Sequence, residues 1–343
     1  MKAFVSLPKN SQFEHFFPEE NIKLTESLGN IRWNPLSRNL TPEEVAANIG
    51  DAEVYVTGWG SPALDSTILD AAPNLRLLAH LCGSVSPFVS DALWERGIRV
   101  ICGNDFFAES VAEGTIGYML SALRDIPKYS HALKTECKWK TSRDYTRSLL
   151  GKTVGIISYG AIARHLVRML QPFRVKIKVY DIVPLPESDV LRYNLTPASM
   201  EEIFSTSDII TVHTPLYDKT YHMIGEELFR LIPNNAILIN TSRGAILDEA
   251  ALARELGHGR FRAVLDVYEK EPLPENSPLL QQENVLLMPH MGGPTTDLLK
   301  SITRTILLEA AAFIDHGEDL PHEVSKERAS TMTVNPSQLQ KKA

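Results

Sequence analysis

Cysteine is scarce. The 343 residues include only three, Cys82, Cys102 and Cys137, with neither C-x-x-C spacing nor a zinc-ligand pattern. An odd, scattered set excludes a disulfide scaffold, leaves no metal site to expect, and fits a reducing cytoplasm. Long apolar runs are missing as well. Lys2 is followed only by Ala3 to Leu7 before Pro8, too short for a secretion signal, and nothing later approaches the ~20 residues of a membrane span. Charge of one sign never accumulates either. The net charge of -7 is dispersed, so neither nucleic acid nor an anionic membrane is expected as partner. No internal repeat stands out.

What is present is an ordinary globular mix, 43% hydrophobic and 22% charged, in a chain longer than a typical single domain. Short β-rich runs from Glu53 to Thr57 and from Leu75 to Ala79, with a helical stretch from Asp65 to Ala72, read as α/β, and Ala3 to Leu7 as a first strand. A long helix is expected from Phe107 to Arg124, with Asn104 or Asp105 as cap. Apolar strands then recur at Thr153 to Ile157, Val175 to Tyr180, Ile209 to Val212, Ala236 to Asn240, Ala263 to Val267 and Val285 to Met288. Helical stretches between them imply right-handed crossovers and a parallel sheet. A last helix, from Thr295 to Ile314, has no strand after it and returns the chain to the first domain. The polar end, 331–343, reads as a loose tail.

The strand ending at Ile157 runs into Ser158-Tyr159-Gly160-Ala161-Ile162-Ala163, in the place of a G-x-G-x-x-G/A turn. Such a turn needs a tight bend, a bare backbone beside pyrophosphate and a small residue where helix packs on strand. Gly160 and Ala163 meet the second and third needs. Ser158 lacks glycine's freedom at the first, so the turn must differ or hold serine in an allowed conformation. A helix from Ile162 to Leu170 would turn its N-terminal amides on the phosphates. The next strand ends in Asp181, suited to ribose hydroxyls and repulsive to a 2′-phosphate, and no Arg or Lys lies between Ile182 and Ser188. NAD, bound at Tyr159, Gly160, Ala161, Ile162 and Asp181, is the expected cofactor.

Three polar groups fall just past strand ends: Arg243 in Asn240-Thr241-Ser242-Arg243-Gly244, Glu271 before Pro272, and His290 after Pro289. The carboxyl ends of parallel strands border the ligand crevice, so these distant residues can converge there. Reducing a 2-oxo acid needs a cation for carboxylate and carbonyl oxygen, a proton donor and a carboxylate to support that donor. Arg243, His290 and Glu271 suit those roles. Each alone is also readable as a surface ion pair, a loop acid or a strand-end histidine. His80, His213 and His222 are second-rank candidates, and Trp59 and Phe106-Phe107 read equally as pocket, core or hinge residues.

These blocks resemble the D-isomer-specific 2-hydroxyacid dehydrogenase family over nearly the whole chain. The matching pieces are Asn240 to Glu249, Leu265 to Pro272 and Pro289 to Gly293. The resemblance implies two Rossmann-like or flavodoxin-like α/β domains with parallel sheets: a discontinuous substrate domain, residues 1–106 and 305–330, into which the NAD domain, 107–304, is inserted. It implies a cleft with Arg243, Glu271 and His290 as catalytic residues, Asp266 near the nicotinamide, Thr214 and Pro215 beside the adenosine, and Thr241 near the nicotinamide ribose. It places the substrate carboxylate on Cys82, Gly83 and Ser84, with serine at 84 replacing a usual glycine and Ser86 a common aspartate. It also implies a D product and a homodimer formed through the nucleotide domain. Similar folds serve as NAD-sensing corepressors and as formate or phosphite dehydrogenases, although the formate type usually carries glutamine at the place of Glu271.

Overall fold

The computed structural model describes residues 1–334, so the expected tail lies, from residue 335 onward, outside the described residues. Within the described residues the chain divides into two compact units, 1–107 together with 294–334, and Ala108–Gly293. No helix among the described residues is long and apolar enough to cross a membrane.

The first unit is built on five parallel strands in the order β2-β1-β3-β4-β5: β1 Lys2–Val5, β2 Asn30–Trp33, β3 Val54–Thr57, β4 Leu77–His80 and β5 Arg99–Cys102. Both faces are covered, as a parallel sheet requires. Alternate residues serve opposite cores: Val54, Val56, Leu77 and Ala79 face one, and Tyr55, Leu78 and Val100 face the other. The helix Thr296–His316 sends Leu299, Ile302, Ile306 and Ala310 into the first of these cores, which is why the chain's later part belongs to this unit. The edge strand β5 is closed by an antiparallel bridge from Ile101 to Glu323, and Val324 donates its N–H to the Val100 carbonyl at 2.8 Å. Arg99 pairs with the Glu323 carboxylate at the same edge.

The second unit carries seven parallel strands in the order β12-β11-β10-β9-β6-β7-β8. They are β6 Thr153–Ile157, β7 Lys176–Tyr180, β8 Leu195–Pro197, β9 Ile209–Val212, β10 Ile237–Asn240, β11 Arg262–Leu265 and β12 Val285–Leu287. Strand order reverses between β6 and β9, the switch point where an open α/β sheet leaves a crevice at the strand ends. The two α/β sheets and their parallel strands agree with the expected fold class. The strands β2, β5 and β8 and the helix Ile126–Glu136 were not legible in the sequence. The long helix begins at Asn104 rather than after it, so Asn104 and Asp105 sit in its first turn, and it ends at Arg124 because Asp125 adopts a left-handed φ of 51°.

Two histidines are sealed into these sheets. His80, 1% exposed at the end of β4, shares a 2.9 Å hydrogen bond with its cross-strand neighbour Thr57 and packs on Phe88 at 4.4 Å. His213, just past β9 and 6% exposed, contacts Thr211 at 3.0 Å. Burial pulls both imidazoles down to about 3, so both are neutral in the folded state.

At the switch point Ser158 stands at φ 75°, in the left-handed region that favours glycine. Its N–H donates to the Tyr180 carbonyl at 2.8 Å, and its hydroxyl lies 2.8 Å from the Thr214 hydroxyl, joining the loop after β6 to the loop after β9. Serine therefore takes the glycine conformation, held by a bond that glycine could not make.

Two outcomes are expected. Ser158→Ala and Ser158→Gly both lose the hydroxyl bond, but only alanine keeps the cost of the left-handed backbone, so Ser158→Ala should be less stable than Ser158→Gly by about 1 kcal/mol in urea unfolding; equal stabilities would show that this backbone conformation carries no cost. Because unfolding lets His80 and His213 take up protons near their ordinary value, stability should fall as pH drops from 7 to 5, by roughly 2 kcal/mol for each histidine. His80→Asn should flatten that dependence, and an unchanged slope would refute the assignment.

Candidate active site

Adjacent strands β10, β11 and β12 release three loops at their carboxyl ends, and a few buried polar groups fix all three. The Asn240 side chain shapes the first. Its Oδ1 accepts from the Ser242 N–H at 3.0 Å and the Ser242 hydroxyl at 2.8 Å, while its Nδ2 donates to the Arg243 carbonyl at 3.0 Å. Gly244 then lies directly on the neighbouring loop: a Cβ there would fall 1.8 Å from the Tyr268 carbonyl carbon, so only glycine allows this approach. Arg243 Nη1 donates to the Ser242 carbonyl at 2.6 Å. Burial pulls its guanidinium below the ordinary arginine value, and the Glu271 charge acts in the opposite sense.

In the second loop the Tyr268 N–H donates to Glu271 Oε1 at 3.1 Å, and Tyr268 anchors its own hydroxyl on the Met288 carbonyl at 2.9 Å. Glu271 Oε2 stands 2.8 Å from His290 Nδ1, with both side chains open to solvent, 37% and 47% exposed.

His290 takes a left-handed φ of 55°, and the backbone around it is pinned to Asp266. The Asp266 carboxylate is 1% exposed and accepts from Met291 N–H at 2.8 Å, Gly292 N–H at 2.9 Å and the Tyr118 hydroxyl at 2.8 Å. The Asp266 carbonyl takes the His290 N–H at 2.9 Å. Gly292 has no room for a side chain, since a Cβ would sit 2.8 Å from Asp266 Oδ2. Arg243, Glu271 and His290 are thus brought into one group. Tyr118 and Asn240, which organise it, carried no local signal: Tyr118 lies in a helix that reads as core packing.

The residues around the switch point fit NAD. Gly160 caps the helix Ala161–Leu170 without a side-chain hydrogen bond, which leaves its first amides uncapped, and a Cβ on Gly160 would meet nothing within 4 Å. Asp181 takes the Tyr159 N–H on one oxygen at 2.6 Å and the Val183 N–H on the other at 2.9 Å, leaving lone pairs on both for further donors. The Tyr159 ring is 5% exposed, lies under Arg164 at 4.9 Å and shares Asp189 with it. Ala161 and Ile162 form the first turn of the helix. Thr214 is tied to Ser158, the Pro215 carbonyl accepts from Thr220 at 2.7 Å, and the Thr241 hydroxyl lies 3.3 Å from that of Thr115.

In the first unit, the loop after β4 has Cys82 and Val85 in the core, where burial pushes the Cys82 thiol up. Ser84 donates its hydroxyl to the Thr333 carbonyl at 2.8 Å. His222 is paired with Glu269 and stacked on Tyr221 at 4.1 Å. Among the described residues no set of three or more His, Cys, Asp or Glu side chains could hold a metal ion.

Comparison with known proteins gives this geometry its context. Residues 116–292 match the model of the D-isomer specific 2-hydroxyacid dehydrogenase NAD binding domain. The chain is 35% identical over 302 residues to D-3-phosphoglycerate dehydrogenase of Methanocaldococcus jannaschii, covering 88% of this chain but only 56% of that protein. It is 32% identical over 319 residues to glyoxylate reductase of Thermococcus litoralis, covering 90% of this chain and 95% of the relative. The apo structure of D-lactate dehydrogenase from Escherichia coli superposes with a TM-score of 0.72 at 25% identity, over 95% of this chain and all of that one. With its nucleotide domain matched and a relative of similar length aligned along most of both chains, this protein belongs to the D-isomer specific 2-hydroxyacid dehydrogenase family and is an NAD-dependent oxidoreductase of 2-oxo and 2-hydroxy acids.

Proposed function

We propose that the protein reduces a small 2-oxo acid to the D-2-hydroxy acid, with His290 as proton donor, Glu271 as its partner and Arg243 as the cation for substrate oxygens. The contact that carries this reading is the 2.8 Å pair of His290 Nδ1 and Glu271 Oε2. Glu271 holds the ring through Nδ1 and leaves Nε2 to deliver a proton to the nascent alkoxide. Arg243, already partly stripped of water, offers an undiluted charge to the carboxylate and the carbonyl oxygen. NADH, when held by these residues, would supply the hydride. Its pyrophosphate is assigned to the amides of Tyr159 to Ile162, its adenosine to Asp181, Thr214 and Pro215, and its nicotinamide end to Thr241 and Asp266. The backbone of Cys82, Gly83 and Ser84 is the proposed seat of the substrate carboxylate. The Ser84 hydroxyl is already committed to Thr333, so the amides rather than that hydroxyl serve the substrate.

A cytoplasmic location fits the free thiols of Cys82, Cys102 and Cys137. A homodimer fits the helix Ile126–Glu136, none of whose residues is buried, together with the apolar surface of Leu133 at 49%, Trp139 at 73% and Tyr145 at 81% exposure.

The deciding assay is loss of NADH absorbance with a panel of 2-oxo acids, with NADPH alongside. NADH should be used in strong preference, because Asp181 meets a 2′-phosphate with like charge. His290→Gln should lower kcat by about 10²–10⁴ while NADH binding, followed by fluorescence, persists; undiminished turnover would remove His290 from the chemistry. Trp139→Glu should convert a dimer into a monomer in light scattering on a sizing column, and a wild-type monomer would overturn the assembly.

A further inference from the structure

Two aromatic residues, Trp59 and Phe107, stand at the carboxyl edge of the first unit's sheet beside Gly83 and have no part in the proposed chemistry above. Trp59 follows β3, Gly83 follows β4, and Phe107 lies in the helix that follows β5. The Trp59 ring is 6.0 Å from Phe107 and 5.3 Å from Phe16, edge to face in both cases. Phe107 Cδ1 stands 3.6 Å from the point that a Cβ on Gly83 would occupy, so this wall begins at the Gly83 backbone itself.

Phe16, only 2% exposed, anchors the cluster in the core, yet Trp59 remains 45% exposed. A large ring held on two sides and left uncovered is poised to receive an apolar group. Charge points the same way. The loops 58–64, 81–89 and 103–107 contain no Lys or Arg, and Asp105 is their one charged residue. A second anionic group on a substrate would find no cation in these loops.

We infer that Trp59 and Phe107 form the wall that receives the substrate's side chain, and that the preferred substrates are 2-oxo acids with an aromatic side chain. The inference rests on the proposal that the Cys82 to Ser84 loop seats the substrate carboxylate, because only the C2 carbonyl carbon separates the carboxylate of a 2-oxo acid from its side chain. Trp59 supplies the selective surface, and Gly83 leaves it open.

The test is kcat/KM with NADH for phenylpyruvate, glyoxylate and 3-phosphohydroxypyruvate, using the full-length enzyme and Trp59→Ala, Trp59→Phe and Phe107→Leu variants of verified thermal stability. The wild-type enzyme should favour phenylpyruvate by at least about tenfold. Trp59→Ala should shrink the phenylpyruvate-to-glyoxylate ratio about tenfold or more, chiefly through KM, and Trp59→Phe should retain most of it. If Trp59→Ala does not fold, the same loss of ratio is required of Phe107→Leu. A wild-type preference for glyoxylate or the phosphorylated acid, or a ratio unmoved in folded variants, would overturn the aromatic wall while leaving the reductase intact. Silence with every 2-oxo acid would instead overturn the reductase reading, and this inference with it.

Discussion

The buried carboxylate of Asp266 is the constraint on which the site depends. A charge removed from water must be met by donors, and here it is met by the Tyr118 hydroxyl and the N–H groups of Met291 and Gly292. Two of those donors belong to the loop that carries His290. Meeting the electrostatic need of Asp266 therefore sets the position of the catalytic candidate, and the left-handed backbone of His290 is tolerated because its neighbours are pinned. The glycines follow from the same packing. Gly292 must clear Asp266, and Gly244 must clear the Tyr268 backbone, so the loops after β10, β11 and β12 interlock through backbone contact rather than through long side chains.

The second determinant is topological. A parallel sheet gathers the ends of its strands on one edge, and the reversal between β6 and β9 leaves a gap between two loops. In this protein the gap is spanned by the Ser158 and Thr214 hydroxyls. The serine that breaks the usual glycine pattern thus becomes a tie across the switch point, and the bare Gly160 two residues later keeps the approach to the helix amides open.

In the first unit the chain after Pro294 does more than finish the fold. Its helix fills one face of the sheet, Glu323 closes the edge at β5, and Glu309 clasps both the His322 backbone and ring. Met332 then packs on the second core and Thr333 receives the Ser84 hydroxyl. The loop beside Gly83 is accordingly braced by residues nearly 250 positions away in sequence.

By itself the sequence determined the α/β class, the two sheets, the dinucleotide turn and the three polar positions past strand ends, because apolar periodicity and punctuation by Gly, Pro and Asp act locally. It hid β2, β5 and β8, edge strands of only three or four residues, too short for a period to declare itself, and the helix Ile126–Glu136, whose exposed faces lack a core-facing stripe. Tertiary structure alone decided that Glu271 meets His290, that Tyr118 and Asn240 organise their loops, that the Ser84 hydroxyl is engaged by Thr333, and that Trp59 leans on Phe107. Each of these joins residues distant in the chain. A hydrogen bond or ring contact of that kind exists only after the strands are ordered, so no window of sequence can display it.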